Sequence, residues 1–434
     1  MFPTIRCYLL LLIGFVIAGL LGAFGNNSLS ILVTLIYDII VMTLTVWDGI
    51  RVNNNKVTIQ RQPLARLSVG RDNSVTLEVK SQNSAIIQVK DEYPLLFDVS
   101  SDLLEAEISA NSSSELSYTV HPTSRGEYQW GNIAIRQLGN WGLAWRSWKV
   151  EAKQKVSVYP DLIGLRSLSI RLTLGSTGAM RQARKLGNGT EFAELKQYSQ
   201  GDDVRLIDWK ATARRNRPLL RALEPEQEQT LFILLDRGRL MTAQVQGLKR
   251  FDWGLNITLS LALAALNRGD KVGVAVFDRD ITTWIPPERG QFHLSKLIEN
   301  LTPIQPVLLE SDYLGSITKV ITQQTRRALV VVITDLIDIT ASTELLSAMA
   351  RLTPRYLPFC VTLRDSLVDT IAHNMTHNLR DTYKRAVALD LLSQREVALL
   401  GLKQKGVLVL DAPCNQISDR LIERYLQLKA KNLL

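Results

Sequence analysis

Thr230-Leu-Phe-Ile-Leu-Leu-Asp236 is the stretch that decides the fold of this 434-residue chain. Its uninterrupted apolar residues, 231–235, predict a strand that is buried on both faces, and a carboxylate follows immediately. Leu329–Thr334 repeats the pattern and is followed by Asp335. Continuous apolar strands of this kind are typical of parallel sheets that helices cover on both faces.

Strands and helices alternate on both sides of these two stretches, from residue 229 to residue 434. The same reasoning predicts further strands at 272–277, 282–285, 356–363 and 407–410, and helices at 248–267, 292–301, 342–352, 379–400 and 416–430. The alternation predicts a doubly wound α/β sheet with right-handed crossovers. Ligands of such sheets bind at the carboxyl ends of the strands, so we expect Asp236 and Asp335 at the same edge, near the switch point.

The amino terminus carries two apolar runs, residues 7–24 and 29–47, each long enough to cross the hydrocarbon core of a membrane. Only a short turn separates them, so they predict a two-helix transmembrane hairpin. A cleavable signal peptide is the alternative for the first run, but a second span follows at once. Asp38 lies in the middle of the second run, where a carboxylate costs about 3 kcal/mol. It either pairs with a partner helix or is tolerated by its apolar surroundings.

The charges that flank the hairpin predict its orientation. Arg6 precedes it, Arg51, Lys56 and Arg61 follow it, and the turn between the runs is uncharged. The positive-inside rule therefore predicts a multi-pass inner-membrane protein with both termini and the soluble domains in the cytoplasm. The formal net charge of +9 fits attraction to anionic lipid headgroups as well as it fits nucleic acid.

Residues 51–160 show repeated period-two alternation of apolar and polar residues, separated by turn signals. This pattern predicts a small β-sandwich. Its four tryptophans, Trp130, Trp141, Trp145 and Trp148, are either core residues or a platform for a ligand. The predicted organisation is thus a transmembrane hairpin at 1–50, a β-sandwich at 51–160, a linker at 161–228 and the α/β domain at 229–434.

The chain has three widely spaced cysteines, Cys7, Cys360 and Cys414, which match no disulfide or zinc pattern. His373 and His377 have the spacing of a helical zinc pair but lack a third ligand motif. Walker, dinucleotide-binding and nucleophile-elbow motifs are also missing from the sequence. The sequence therefore shows no visible means of handling a nucleotide.

The linker contains a dense group of charged, aromatic and glycine residues between Gly187 and Arg221. Apolar spacing predicts a short amphipathic helix over 191–199, ended by Gly201, with Asp202 or Asp203 capping the next segment. One interpretation is a buried clasp in which Arg205 or Arg214 pairs with Asp203 or Asp208. The others are a carboxylate-dependent hydrolase that uses Glu191, Asp203 and Asp208, and a nucleic-acid binder that uses the basic stretch 205–221.

This segment resembles the family called domain of unknown function fifty-eight. The matching residues are Gly189, Glu191, Phe192, Tyr198, Gly201, Asp202, Arg205, Asp208, Trp209 and Arg214. The resemblance implies a membrane-anchored, non-enzymatic adaptor that acts through protein–protein interaction. It also implies a MoxR-type AAA+ ATPase as the partner, which would supply the energy.

The α/β domain also resembles the von Willebrand factor A fold. The adhesion site of that fold binds magnesium through Asp-x-Ser-x-Ser, a distant threonine and a distant aspartate. Here Gly238 and Leu240 stand in place of the two serines after Asp236, and the threonine has no evident counterpart. Glu288 and Gln291, in the loop 286–291, are other candidate ligands.

These departures from the adhesion pattern leave two predictions for the edge formed by Asp236, Gly238, Arg239 and Asp335. It is either an incomplete magnesium site or a surface that docks a partner protein. In the second case Arg237 or Arg239 would neutralise the aspartates directly, and no cofactor is expected.

Overall fold

The computed structural model describes residues 1–23, 27–64, 66–183, 191–199, 202–224, 229–336, 339–374 and 378–431. Two compact units make up the chain, Met1–Tyr159 and Pro160–Leu434. Each unit is built around its own sheets.

Two consecutive helices, α1 (Ile5–Ala23) and α2 (Asn27–Asn54), open the first unit. Among the described residues, Ser30–Asn54 is the one span long and apolar enough to cross a membrane, and Ile5–Leu21 is a shorter apolar helix. The helices pack together, and the Ser30 hydroxyl donates a hydrogen bond to the Ala18 carbonyl at 2.8 Å. Asp38 faces α1, because its Oδ1 would lie 3.1 Å from a Cβ on Gly14.

The rest of the first unit consists of strands in three sheets, whose orders are β1-β11-β10-β5-β7, β2-β4-β8-β6 and β3-β12-β9. Buried and exposed residues alternate along β4 and β5, as the period-two pattern predicts. Trp130 is fully buried, whereas Trp141 is exposed. The strands are β1 (Phe2–Pro3), β2 (Thr58–Arg61), β3 (Leu67–Ser68), β4 (Asn73–Ser81), β5 (Ala85–Asp91), β6 (Phe97–Val99), β7 (Leu104–Ile108), β8 (Ser112–Pro122), β9 (Gly126–Trp130), β10 (Ile133–Leu138), β11 (Ala144–Val150) and β12 (Gln154–Tyr159).

The second unit begins with elements that the sequence analysis placed in a linker. They are helix α3 (Leu162–Ala183), strand β13 (Glu191–Gln197), helix α4 (Trp209–Arg215) and strand β14 (Leu219–Glu224). The amphipathic helix predicted over 191–199 is wrong, because β13 pairs with β14 as an antiparallel hairpin. Pairing with a strand more than twenty residues away overrides the local helical spacing.

The α/β sheet of the second unit has the order β19-β18-β15-β20-β21-β22. Counted from β15, this is the doubly wound order 3-2-1-4-5-6. All neighbouring strands run parallel except β19, which is antiparallel to β18. The strands are β15 (Thr230–Asp236), β16 (Gln244–Val245), β17 (Leu248–Lys249), β18 (Lys271–Phe277), β19 (Ile281–Glu288), β20 (Leu329–Thr334), β21 (Leu357–Arg364) and β22 (Leu408–Pro413), of which β16 and β17 form a separate hairpin.

Helices cover both faces of this sheet, so alternate residues of β15 enter different cores. Leu231 and Ile233 pack in one core with α3, α5, α6 and α11, and Phe232 and Leu234 pack in the other with α7, α8 and α10. The helices are α5 (Arg250–Leu266), α6 (Gln291–Leu301), α7 (Tyr313–Gln323), α8 (Ile339–Ala350), α9 (Ser366–His373), α10 (Leu379–Gln404) and α11 (Ile417–Ala430). The alternation confirms the α/β architecture; α7 and α9 were not predicted.

Candidate functional site at the strand ends

Asp236 and Asp335 stand at the carboxyl ends of β15 and β20, which are parallel neighbours in the sheet. β18 lies on the other side of β15 and β21 on the other side of β20, so the strand order reverses between the two. The structure thus places both aspartates at the switch point, where doubly wound folds bind their ligands.

The Asp236 carboxylate is 1% exposed and accepts hydrogen bonds from four groups of the chain. Ser311 Oγ donates at 2.5 Å, Thr334 Oγ1 at 2.6 Å and the Tyr313 hydroxyl at 2.9 Å. The Gly238 backbone N–H completes the set at 2.8 Å. Burial raises the pKa of the Asp236 carboxyl, and the four hydrogen bonds oppose that shift.

The Asp335 carboxylate is buried in an ion-pair network instead. Its Oδ2 lies 2.8 Å from Arg250 Nη1, and its Oδ1 lies 2.7 Å from Arg395 Nη1. The Arg395 guanidinium also bonds Asp411, because its Nη2 donates to Asp411 Oδ1 at 2.9 Å. Arg395 thereby bridges the ends of β20 and β22 from the side of α10.

The prediction that Arg237 or Arg239 neutralises the aspartates is wrong. Arg237 pairs with Asp278, at 2.6 Å, and Arg239 pairs with Glu310 on the exposed rim, also at 2.6 Å. Both arginines follow β15 directly, so proximity in sequence favoured them. The tertiary fold instead brings Arg250 from α5 and Arg395 from α10 to Asp335.

The side chains at this edge do not fit an adhesion-type magnesium site. A Cβ on Gly238 would lie 2.0 Å from Ser311 Oγ and 2.8 Å from the Leu309 carbonyl oxygen, so a serine has no room there. Hydroxyl protons already occupy both Asp236 oxygens, and guanidinium groups occupy both Asp335 oxygens. Magnesium demands open oxygen ligands in octahedral geometry.

Two other candidate ligands lie away from this edge. Glu288 ends the antiparallel strand β19 and pairs in register with Val272 near the start of β18, at the opposite end of the sheet. Gln291 begins α6 just after it. No group of three histidine, cysteine, aspartate or glutamate side chains able to hold a metal ion occurs in the part of the chain that the structure describes.

Sequence reasoning missed the hydroxyl donors of this edge. Thr334 is the last residue of β20, directly before Asp335, and this position is the signal that could have identified it. Ser311 and Tyr313 lie at the start of α7, a helix that was not predicted. Arg395 lies within a long helix that carries several exposed basic residues, so nothing local distinguishes it.

The aspartates of the signature segment cap backbone groups. Asp202 Oδ2 accepts from the Ser199 N–H at 2.9 Å, and Asp203 Oδ1 accepts from the Arg205 N–H at 2.9 Å. Asp208 caps α4 and pairs with Arg221 at 2.8 Å, rather than with the predicted Arg205 or Arg214.

The Ala211 N–H and Arg221 lower the pKa of Asp208, whereas a general acid needs a raised one. Trp209 of the signature is 70% exposed. Three signature or candidate residues lie outside the described part of the chain: Gly189, Gly201 and His377. The side chains of Glu191 and Phe192 also lie outside the description.

Sequence comparison agrees with the resemblance that these residues suggested. Residues 194–371 match the family model "Protein of unknown function DUF58". The match covers β14, α4 and the α/β sheet as far as β21. It confirms the family recognised from the signature for this part of the chain.

The names of the curated relatives describe them as uncharacterised. "Uncharacterized protein Rv1480" of Mycobacterium tuberculosis (strain ATCC 25618 / H37Rv) is 26% identical over 153 residues, 34% of this chain and 48% of the relative. "Uncharacterized protein YeaD" of Bacillus subtilis (strain 168) is 22% identical over 191 residues, 44% of this chain and 45% of the relative. The chain thus spans about half the length of these relatives.

Similar solved structures include the conserved hypothetical protein BatB from Bacteroides thetaiotaomicron. It has a TM-score of 0.33 and 16% identity, covering 47% of this chain and 99% of that chain. An aerotolerance-related membrane protein from Bacteroides fragilis NCTC 9343 has a TM-score of 0.29 and 16% identity, with the same coverage. The SpRpn10 VWA domain has a TM-score of 0.30 and 11% identity, covering 45% of this chain and 94% of that domain.

The buried Asp236 carboxyl makes stability depend on pH. A pKa raised above the ordinary value of 3.8 means that the folded state binds the proton more tightly than the unfolded state. The stabilisation is complete below that value and is lost as pH rises through the folded-state pKa. We therefore expect the unfolding free energy of the wild type to fall, relative to Asp236→Asn, as pH rises from about 4 to 7. Denaturant titrations of both proteins at several pH values measure this, and a pH-independent difference contradicts it.

Proposed function

We propose that this protein is a membrane-anchored adaptor without enzymatic activity, whose α/β domain binds a partner protein at the carboxyl-end edge of its sheet. In this proposal α1 and α2 form a transmembrane hairpin in the bacterial inner membrane. A β-sandwich follows, and the von Willebrand A-like domain lies in the cytoplasm. The family resemblance implies a MoxR-type AAA+ ATPase as the partner.

The observation that carries the proposal is the saturation of Asp236 and Asp335 by groups of the chain itself. A catalytic or metal-binding edge needs a carboxylate that is free to meet substrate or ion. Here hydroxyl groups and guanidinium groups satisfy both. This edge therefore supports recognition by shape and surface chemistry, which loops on a rigid sheet commonly provide.

The surface suited to docking lies beside this edge, on what we call the α9–α10 arm, namely α9 and residues 379–387 of α10. α9 starts just after β21 ends, so it begins at the carboxyl end of the sheet. Arg395 is the residue of α10 that lies at this edge, because its side chain pairs with Asp335. Residues 379–387 continue about 12–24 Å further along the helix, at 1.5 Å per residue.

The arm has an apolar face that is exposed. The first buried residue of α10 is Ala388, and α9 buries only Ala372. Leu379 and Tyr383, one helical turn apart, are 89% and 73% exposed, and Val387 continues the row. Arg380 and Lys384 lie beside this row. Lys384 pairs with Asp381 at 3.4 Å, and Arg380 suits an acidic partner surface.

We infer that this row of α10 binds an apolar groove of the ATPase. An amphipathic helix uses residues at four-residue spacing to fill a facing apolar groove. Arg239 and Glu310 on the strand-end rim would then form the polar border of the same contact, because both are exposed. Single exposed apolar residues need no explanation, but a contiguous exposed apolar row is typical of an interaction site.

Affinity capture tests the proposal with the full chain. The detergent-solubilised protein, expressed with the MoxR-type ATPase of the same organism, should retain that ATPase in near-stoichiometric amount. The captured protein should retain the ATPase without catalysing a reaction itself. Failure to retain the ATPase, with or without nucleotide, would contradict the proposed partner.

A further inference from the structure

The start of α1 and the end of α2 are bonded directly to the β-sheets of the first unit. β1 precedes α1 and pairs with β11. Asp48, near the end of α2, is buried, and its carboxylate accepts the Trp141 N–H at 3.1 Å and the Leu143 N–H at 3.0 Å. A Cβ on Gly139 would lie 2.2 Å from Asp48 Oδ2, so only glycine allows the loop 139–143 to close on that carboxylate.

The hydrogen bonds of Asp48 fix the position of the loop 139–143 along the axis of the apolar helices. The apolar part of α2 ends at Val46, and Trp47 and Asp48 follow. About 20 residues span a hydrocarbon core of about 30 Å, so Trp47 falls at the interface with the headgroups. Because Asp48 holds the loop, Trp141 lies at the same level, and its ring is 4.8 Å from that of Trp47.

Aromatic and cationic side chains gather at this level, and we name them the collar: Phe2, Arg6, Trp47, Arg51, Arg136 and Trp141. The Arg51 guanidinium carbon lies 4.1 Å from the centroid of the Trp47 ring, and that of Arg136 lies 5.7 Å from the Phe2 ring. All six residues are exposed. In the described structure none of the three arginines forms an ion pair with a carboxylate.

We propose that the collar is a binding site for anionic phospholipid headgroups. The inference rests on the proposed membrane anchor, but it does not depend on the partner protein. Tryptophan rings favour the depth of the headgroups, where their apolar and polar ends are both satisfied. Arginines held on rings rather than by carboxylates leave their N–H groups free for lipid phosphates, whose geometry they match. The headgroup layer then sets the orientation of the β-sheets on the membrane.

Quenching by brominated lipids tests the collar on the full chain. The protein is reconstituted in phosphatidylcholine vesicles that contain equal fractions of brominated phosphatidylglycerol or brominated phosphatidylcholine. Brominated phosphatidylglycerol should quench tryptophan fluorescence more strongly. Since each surface arginine contributes about fivefold in affinity for an anionic lipid, Arg51→Gln/Arg136→Gln should abolish the preference. Trp141→Phe should reduce the quenchable fraction.

A matched control carries two charge-removing changes, at Lys153 between β11 and β12 and at Lys155 in β12. Both lysines are exposed, and they follow Val150, the end of β11 that lies about 20 Å along the strand from the loop 139–143. Lys153→Gln/Lys155→Gln should leave the preference intact. Equal quenching of the wild type by both lipids overturns the headgroup site. Absence of quenching in protein that floats with the vesicles overturns the placement of the collar.

Discussion

Arg395→Met is expected to lower the stability of the α/β sheet by about 3–5 kcal/mol, the usual cost of breaking a buried ion pair from one side. The guanidinium is the group that joins Asp335 to Asp411. Without it, Arg250 still pairs with Asp335, but among the described residues the charge of Asp411 is balanced by Arg364 alone, at 3.5 Å. The buried Asp335 and the partly buried Asp411 then share too little positive charge.

Hydrogen–deuterium exchange of the full chain in detergent measures this locally. Peptides from β15, β20 and β21 should lose protection in Arg395→Met. Arg420→Met is the matched control, because Arg420 is exposed on α11 and bonds only Gln416. Its effect should stay within about 0.5 kcal/mol. A loss below about 1 kcal/mol in Arg395→Met would show that the network does not hold the strand ends together.

A companion variant separates the ion pairs from packing. Asp335→Asn/Arg395→Met/Asp411→Asn removes the charges together, so it leaves no buried ion without a partner. Replacement of a whole buried ion network by neutral groups is often nearly neutral in stability. We expect the triple variant to recover part of the loss seen in Arg395→Met.

Leu379→Glu/Tyr383→Glu is expected to abolish binding of the ATPase while leaving the fold intact. Both side chains are largely exposed, so the folded state loses little packing. A partner that buries them would have to desolvate two carboxylates beside apolar groups, which costs several kcal/mol and therefore more than a hundredfold in affinity.

The matched control for this variant is Phe292→Glu. Phe292 is 94% exposed near the start of α6, which follows β19 at the opposite end of the sheet. Capture should be lost in the arm variant and kept in Phe292→Glu. Equal retention by both variants would remove the arm from the interface.

The sequence predicted the position of the site better than its chemistry. Asp236 and Asp335 could be placed at one edge because apolar strands that end in carboxylates and alternate with helices constrain the topology. The partners of these aspartates could not be predicted. Ser311 and Tyr313 come from the start of α7, whereas Arg250 comes from α5 and Arg395 from α10. Only the tertiary fold decides which of these groups reaches which carboxylate.

The signature segment shows the limit of local periodicity. Phe192, Leu195 and Tyr198 have helical spacing, yet β13 pairs with β14 across the turn that contains α4. Asp208 was recognised as charged and close to arginines, but its arginine is Arg221, on the opposing strand. β13 and β14 form an antiparallel hairpin, which brings Arg221 back to Asp208. A helix over 191–199 does not allow this pairing.

Site-specific photocrosslinking tests whether the ATPase docks at the carboxyl-end edge of the sheet. A photoreactive phenylalanine analogue is placed at Tyr383 in one full-length protein and at Phe292 in another, each in membranes with the MoxR-type ATPase. We expect a crosslink to the ATPase from position 383 and none from position 292. A crosslink from 292 alone, or none from 383 while the ATPase remains bound, would contradict it.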